Sequence, residues 1–268
     1  MVRKLAPLAA LAVLVAGCGG GNRSAPTTVQ QLHQFRVVFP EGFTRAQMAQ
    51  RVTAVASIAF HERHVHPKIS AKTYLAASGP RRIPGFGSRK LPLEGFLFPS
   101  TYFFDRTSTS AALVAEQLAA FQANFGNVDL AYARSKNLTP YDVLKIASII
   151  EREAVVPGER KLVAAVIYNR LRIHMPLGMD STIRYGLHVP ATQPLLQSEL
   201  DSNNPYNSRK FLGLPPTPIA NPGLASIEAA AHPAHVDYLY FVRKPDKRHH
   251  YFTANYQDFL DHEHLYGY

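Results

Sequence analysis

An α+β fold follows from three observations: a strand, turn and helix succession near residue 33, capped amphipathic helices between 108 and 173, and two short strand-like runs near the C-terminus. The expected order is a small β-α module, residues 33–82, and then a mainly helical region with short β-sheets, residues 83–268. At 268 residues, with 46% hydrophobic and 18% charged side chains, the chain can bury a substantial core, and a fibrous or disordered class is excluded.

The first residues are of another kind. Arg3 and Lys4 precede an apolar stretch, Leu5 to Gly17, interrupted by Pro7 and closed by small residues before Cys18. The stretch is too short to span a bilayer. It resembles a lipoprotein-type signal peptide over residues 1–18, with Cys18 as the lipidation site; an ordinary cleaved signal with an incidental cysteine is the alternative. Both export the protein. Cys18 is the only cysteine, so an internal disulfide is impossible and the fold must rest on its core. Residues 19–32, rich in Gly, Ser, Thr and Pro, suit a flexible tether between membrane and domain.

In the module, His33 to Phe39 alternates like a strand and Pro40-Glu41-Gly42 turns. Thr44 can cap a helix running through Met48 and Val52 to about Ala56, and a second short helix is expected at Ala71–Ala77. This order resembles the LysM-like β-α modules that bind cell-wall glycans, with an ordinary α+β packing unit equally open. Ile83 to Lys90 is a loop, and Leu91 to Phe104 is aromatic-rich and broken by turns. Ser108 to Phe125 forms a helix with Leu113, Leu118, Phe121 and Phe125 on one side, and Glu159 to Ile173 forms another. Beyond residue 175 loops and short strands dominate, with the proline-rich run Leu214 to Gly223, a helix at Leu224–Ala231, and the strands Tyr238–Val242 and His249–Thr253.

The helix bearing Val143 to Ala154 carries the chemistry. Thr139 can cap it, Pro140 suits its first position, Asp142 completes a capping box, and Pro157-Gly158 comes just past its end. At about 100° per residue, Val143, Leu144, Ile146, Ala147, Ile150 and Ala154 share one arc, with Lys145, Ser148 and Arg152 opposite. Glu151 falls inside the apolar arc; Glu153 falls at its edge, where a solvated or ion-paired carboxylate is the simpler reading. A carboxyl group in an apolar setting keeps its proton to higher pH, as a general acid must. A buried ion pair with a neighbouring arginine explains the position of Glu151 equally well.

Net charge of +10 and a pI near 9.7 favour anionic partners. The basic residues are scattered in short clusters, Arg81-Arg82, Arg243-Lys244 and Lys247 to His250, with no basic recognition helix, which disfavours nucleic acid. His232, His235, His249 and His250 lack metal-ligand spacing, and no phosphate-cradling glycine loop occurs, so neither metal nor cofactor is expected.

Several segments in order resemble the endolytic murein transglycosylases of the MltG or YceG-like family: Leu93 to Pro99, Ala147 to Glu153, Tyr168 to Leu171, Met179 to Gly186, Asn204 to Ser208, Gly213 to Gly223, and Ala230 to Pro233. The resemblance covers roughly residues 33–260. Ser100 stands where the family usually has an acidic residue, Ser181 where it has proline, and the lipoprotein-like start where it has a transmembrane helix. The resemblance implies a membrane-anchored lyase of the extracytoplasmic face that cleaves nascent peptidoglycan, 83–268 being its catalytic domain and wall synthases its partners. It implies that Glu151 is the essential glutamate, acting without a second carboxylate because the C6 hydroxyl of N-acetylmuramic acid attacks its own anomeric carbon. Asn169, Asp180, Tyr206 and Asn207 are the substrate-binding candidates, each with a structural role as its alternative; Glu94 is the rival carboxylate, in a turn where capping or pairing is the usual role. A muramidase pairing Glu151 with Asp180, and a non-catalytic glycan binder, are the competing functions.

Overall fold

The structure, a computed structural model, describes residues 34–267; the signal-like segment, Cys18 and the tether lie outside the described residues. It is α+β. The described elements are β1 (Phe35–Val38), α1 (Arg45–Arg63), α2 (Ala71–Ala77), β2 (Thr101–Phe104), α3 (Ser110–Phe125), α4 (Ala131–Ser135) and α5 (Pro140–Glu153). They continue with α6 (Arg160–Arg172), α7 (Asp180–Leu187), α8 (Gln197–Leu200), α9 (Leu224–Ala231), β3 (Tyr240–Arg243), β4 (His250–Thr253) and α10 (Tyr256–Tyr266).

β1 pairs antiparallel with β2, Phe35 opposite Phe104 and Val38 opposite Thr101, so the 33–82 segment shares its sheet with a strand of the 83–268 region. Its core is shared too: Tyr74 of α2, fully buried, donates to Gln117 of α3 at 2.6 Å, and residues 33–268 form one compact unit. The second sheet is the expected hairpin, β3 with β4, Tyr240 opposite Thr253. α10 lies against it, with Phe259 stacked on Tyr240.

α5 is the axis of the molecule and packs on α9, α6 and α7. Its start is as expected: the Thr139 hydroxyl accepts from the Asp142 amide while Asp142 accepts the Thr139 N–H at 3.0 Å, and Pro140 opens the first turn. Its burial is wider than periodicity suggests. Ser148, expected on the polar face, is fully buried; its hydroxyl donates to the Lys145 carbonyl at 2.7 Å and accepts the Ile219 N–H at 3.0 Å. A serine that closes both bonds internally can be buried at little cost, so the proline-rich loop 214–223 covers a face that periodicity marked as exposed. The region beyond 175 is also more helical than expected, with α7, α8 and α10 present. α7 begins Asp-Ser-Thr and contains Gly186, all poor helix formers, and it is held by burial of Thr182 and Ile183.

Candidate active site

Two glutamates leave α5 in nearly opposite directions, two residues being roughly 200° of helix. Glu151 points at the start of α9: its Oε2 accepts the N–H of Gly223 at 3.0 Å. Its stem lies against Gly42, where an added Cβ would stand 3.5 Å from Glu151 Cγ. Glu41 brings a second carboxylate to the same spot, resting on Gly223 so closely that any side chain there would collide with it. Desolvation, then the Glu151 charge, raise the Glu41 pKa, and Arg160 opposes them. Among the described residues Glu151 has no ion pair; the neighbouring Arg152 reaches instead toward the Gly42 carbonyl, at 3.4 Å.

Behind this spot is a buried polar hub. Asn221, fully buried, accepts the N–H groups of Gly95 and Leu97 on Oδ1, both at 2.9 Å, and donates from Nδ2 to the Phe43 carbonyl and to Glu94 Oε1. One side chain thus ties three chain segments together. Glu94 also accepts the Arg45 N–H in the first turn of α1 at 2.9 Å and the Tyr185 hydroxyl at 3.1 Å. It is a capping carboxylate at the positive end of a helix. Burial nevertheless outweighs its hydrogen bonds and pushes its pKa up to about 7. Gly95 takes φ +90° in the same turn, and a Cβ there would meet Pro218 at 2.6 Å.

Glu153 faces a cavity of about 730 Å³ bounded by α5, α7, β3 and α10. Its Oε1 is buried and has no hydrogen-bond partner, and the same holds for the Ser181 hydroxyl on the cavity's α7 side. Arg152, Arg170, Arg184, Arg209 and Arg243 all line this space, against Glu153, Asp180 and Glu263. Tyr240, Tyr256 and Phe259 supply an aromatic wall, and Tyr240 is within 5.4 Å of the Arg170 guanidinium. His250, buried at the back, binds Glu159 through both its N–H at 3.0 Å and Nδ1 at 2.7 Å, which fixes β4 to the foot of α6. A volume of this size with a few converging polar groups suits a sugar-sized ligand. Among the described residues no cluster of three or more His, Cys, Asp or Glu could hold a metal.

The sequence candidates divide between these two sides. Asp180 lines the cavity, and its Oδ1 receives Arg209 at 2.8 and 3.1 Å. Asn169 is one helix away, its amide donating to the carbonyls of Val236 and Tyr238. Asn207 is fully buried and holds its own loop through Leu200 and Ser202. Tyr206 stands beside Tyr185, its hydroxyl 2.8 Å from that of Thr217. Periodicity assigns Glu153 to a solvated or paired edge, and it does not single out Glu41 or the arginine set. The nearest signal is the Glu-Arg-Glu run itself, since residues two apart on a helix face opposite sides.

Comparison with known proteins places these features. The family model described as "YceG-like family" matches residues 9–264. A Bacillus subtilis protein named endolytic murein transglycosylase is 34% identical over 221 residues, covering 79% of this chain and 60% of its own length. A Streptococcus pneumoniae protein of the same name is 34% identical over 243 residues, covering 83% of this chain and 43% of its own. The chain therefore spans about half the length of the curated relatives it matches. The crystal structure of a YceG-like protein from Listeria monocytogenes superposes with a TM-score of 0.66 at 30% identity, over 84% of this chain and 74% of that one.

Proposed function

The chain belongs to the YceG-like family, and from that premise we propose that it is an endolytic lytic transglycosylase that cleaves the MurNAc-GlcNAc β-1,4 bond within nascent peptidoglycan strands. One carboxyl group serves first as acid, protonating the leaving glycosidic oxygen, and then as base, taking the C6 hydroxyl proton as the 1,6-anhydro ring closes. Ring closure replaces water by a tethered nucleophile, an advantage of high effective concentration.

The geometry favours Glu153 for that carboxyl. The single observation that carries this is the place of Glu153 in the wall of a sugar-sized cavity. A general acid must reach its substrate oxygen, and Glu153 lines the space a sugar would enter. Glu151, the expectation from helix position and family resemblance, has its Oε2 engaged by Gly223 and is the alternative acid at the same helix end. Tyr240, Tyr256 and Phe259 pack on one another as an aromatic cluster in the cavity wall, and the Asp180–Arg209 pair borders the cavity. The 33–82 segment contributes Glu41 and Gly42 to the Glu151 side; its LysM-like role would be to hold the strand beyond the cleft. Anchoring at the extracytoplasmic membrane face through Cys18, and work beside a wall synthase, complete the reading.

A second reading, hydrolysis, rests on the two carboxylates that meet at Gly223, Glu151 and Glu41, since hydrolases use a carboxyl pair. Mass spectrometry of muropeptides released from purified sacculi separates the two. Transglycosylation gives products one water lighter, with anhydro ends and no free reducing terminus; hydrated reducing ends would establish the hydrolase.

A further inference from the structure

The β1–β2 sheet is packed on one face only. Successive side chains of a strand point to opposite faces, so Val37, Tyr102 and Phe104 turn inward and are buried, while Arg36, Val38, Thr101 and Phe103 share the outer face. The antiparallel register sets Arg36 opposite Phe103 and Val38 opposite Thr101, so the four form one patch. The inner rings are partnered, Phe35 on Phe104 and Tyr102 beside Phe39, whereas Phe103 is 56% exposed and Val38 38%. No acidic residue stands on this face, and among the described residues no carboxylate lies within ion-pair distance of Arg36. Asp105, just past β2, is engaged in its own turn, its Oδ1 accepting the Thr107 and Ser108 N–H groups at 2.7 and 3.0 Å. A lone exposed phenylalanine is ordinary, but an apolar and cationic face without acids suits an amphipathic, anionic surface. The net charge of +10 favours the same partner.

The position of this face in the chain narrows the partner further. β1 opens within twenty residues of Cys18, the anchor proposed above. Even fully extended, that stretch spans no more than about 60 Å, so the face stays within reach of the bilayer. Tethering raises the effective concentration of lipid surface, and a patch too small to hold a free protein then suffices. We propose that the outer face of the β1–β2 sheet rests on the anionic bilayer surface, with Phe103 and Val38 entering the headgroup boundary and Arg36 meeting lipid phosphate. Aromatic rings favour that boundary, and a guanidinium matches phosphate geometry. The proposal takes the Cys18 anchor from the reading above and goes beyond it: the anchor sets a distance, whereas the face sets an orientation. Residues 33–268 form one compact unit, so a docked sheet orients the helices that carry Glu151 and Glu153 as well.

The test uses the full chain, lipidated at Cys18, in vesicles of phosphatidylglycerol and phosphatidylethanolamine that contain a lipid with a nitroxide headgroup. A fluorophore is attached through Thr101→Cys, on the outer face, or through Ser198→Cys, at an exposed position of α8. The nitroxide should quench the label at 101 several-fold more strongly than the label at 198. That excess should weaken in added salt and disappear in Phe103→Ser and in Arg36→Gln, with circular dichroism and thermal melts verifying that both variants fold as the parent does. Leu212→Ser, which removes an apolar side chain 61% exposed elsewhere on the surface, should leave the excess unchanged. Equal quenching at the two positions overturns the inference, as does an excess that survives both variants or is as large on phosphatidylcholine vesicles. A Phe103-dependent dimer in lipid-free sedimentation also overturns it and gives the face to a second copy. The anchor is read separately by mass spectrometry, since a lipidated Cys18 leaves one thiol to label. Two fluorophores per chain break the anchor reading, and a quenching excess that persists without lipidation still supports the face.

Discussion

The two sides of the α5 C-terminus hold the same residue type in opposite conditions. On the Glu151 side the Gly223 N–H meets the carboxylate, Gly42 lies against its stem and the Glu41 carboxyl stands close by. On the Glu153 side the residue lines open volume together with five arginines, its Oε1 buried and without a partner. On the Glu151 side one carboxylate oxygen is answered by the Gly223 N–H and a second carboxylate, Glu41, lies beside it; the Glu153 side opens on a cavity.

If that contrast is correct, substitutions behind Glu151 should cost stability and those facing the cavity should cost turnover. The largest stability effect is expected for Asn221→Ala, which orphans the buried Gly95 and Leu97 amides together and should lower unfolding free energy by at least about 3 kcal/mol in urea melts. Gly95→Ala comes next. It strains a φ of +90° and drives a methyl group into Pro218, and thermal melts should report about 2 kcal/mol or more.

Glu94→Gln sharpens the comparison through pH. The folded chain holds the Glu94 proton to about pH 7 against a reference of 4.5, so the fold binds that proton more tightly than the unfolded chain does. Its contribution is therefore complete below the unfolded value and is lost as pH rises toward the folded one, on the order of 2–3 kcal/mol. Glutamine can accept from Arg45 and Asn221 and donate to Tyr185, and its stability curve should lack that decline; an unchanged slope would show that another group causes it. The smallest effect belongs to Asp180→Asn. Its ion pair with Arg209 is about half exposed, so stability should change by less than about 1 kcal/mol while KM for strands changes measurably.

Much of the fold was legible from local chemistry. The Thr139-Pro140-Asp142 cap, the α2 and α9 spans and the β3–β4 hairpin arise from residues near one another. The β1–β2 pairing was not, because a strand of four residues carries no sign of a partner beyond two intervening helices. α7 was hidden by its poor helix formers, since tertiary burial rather than propensity stabilises it. At the site, periodicity separated Glu151 from Glu153 but could not say what covers each side. Glu151 is unusual because a distant loop, Asn221 to Gly223, grips it, and the cavity of Glu153 is assembled from α7, β3 and α10, remote in sequence. Asn169 and Asn207 lay in the right motifs yet serve backbone carbonyls, a use that spacing does not distinguish from binding.

The most direct measurement compares two isosteric variants, Glu153→Gln and Glu151→Gln, for rate of release of anhydro-muropeptides from sacculi, with stability measured on the same samples. Glu153→Gln should keep its fold and lose about 10²- to 10⁴-fold in rate, the scale of general acid and base catalysis, whereas Glu151→Gln, whose amide oxygen still accepts the Gly223 N–H, should stay within about tenfold. Full activity in Glu153→Gln with loss confined to Glu151→Gln would contradict the account and move the reaction to the Gly223 side of the helix.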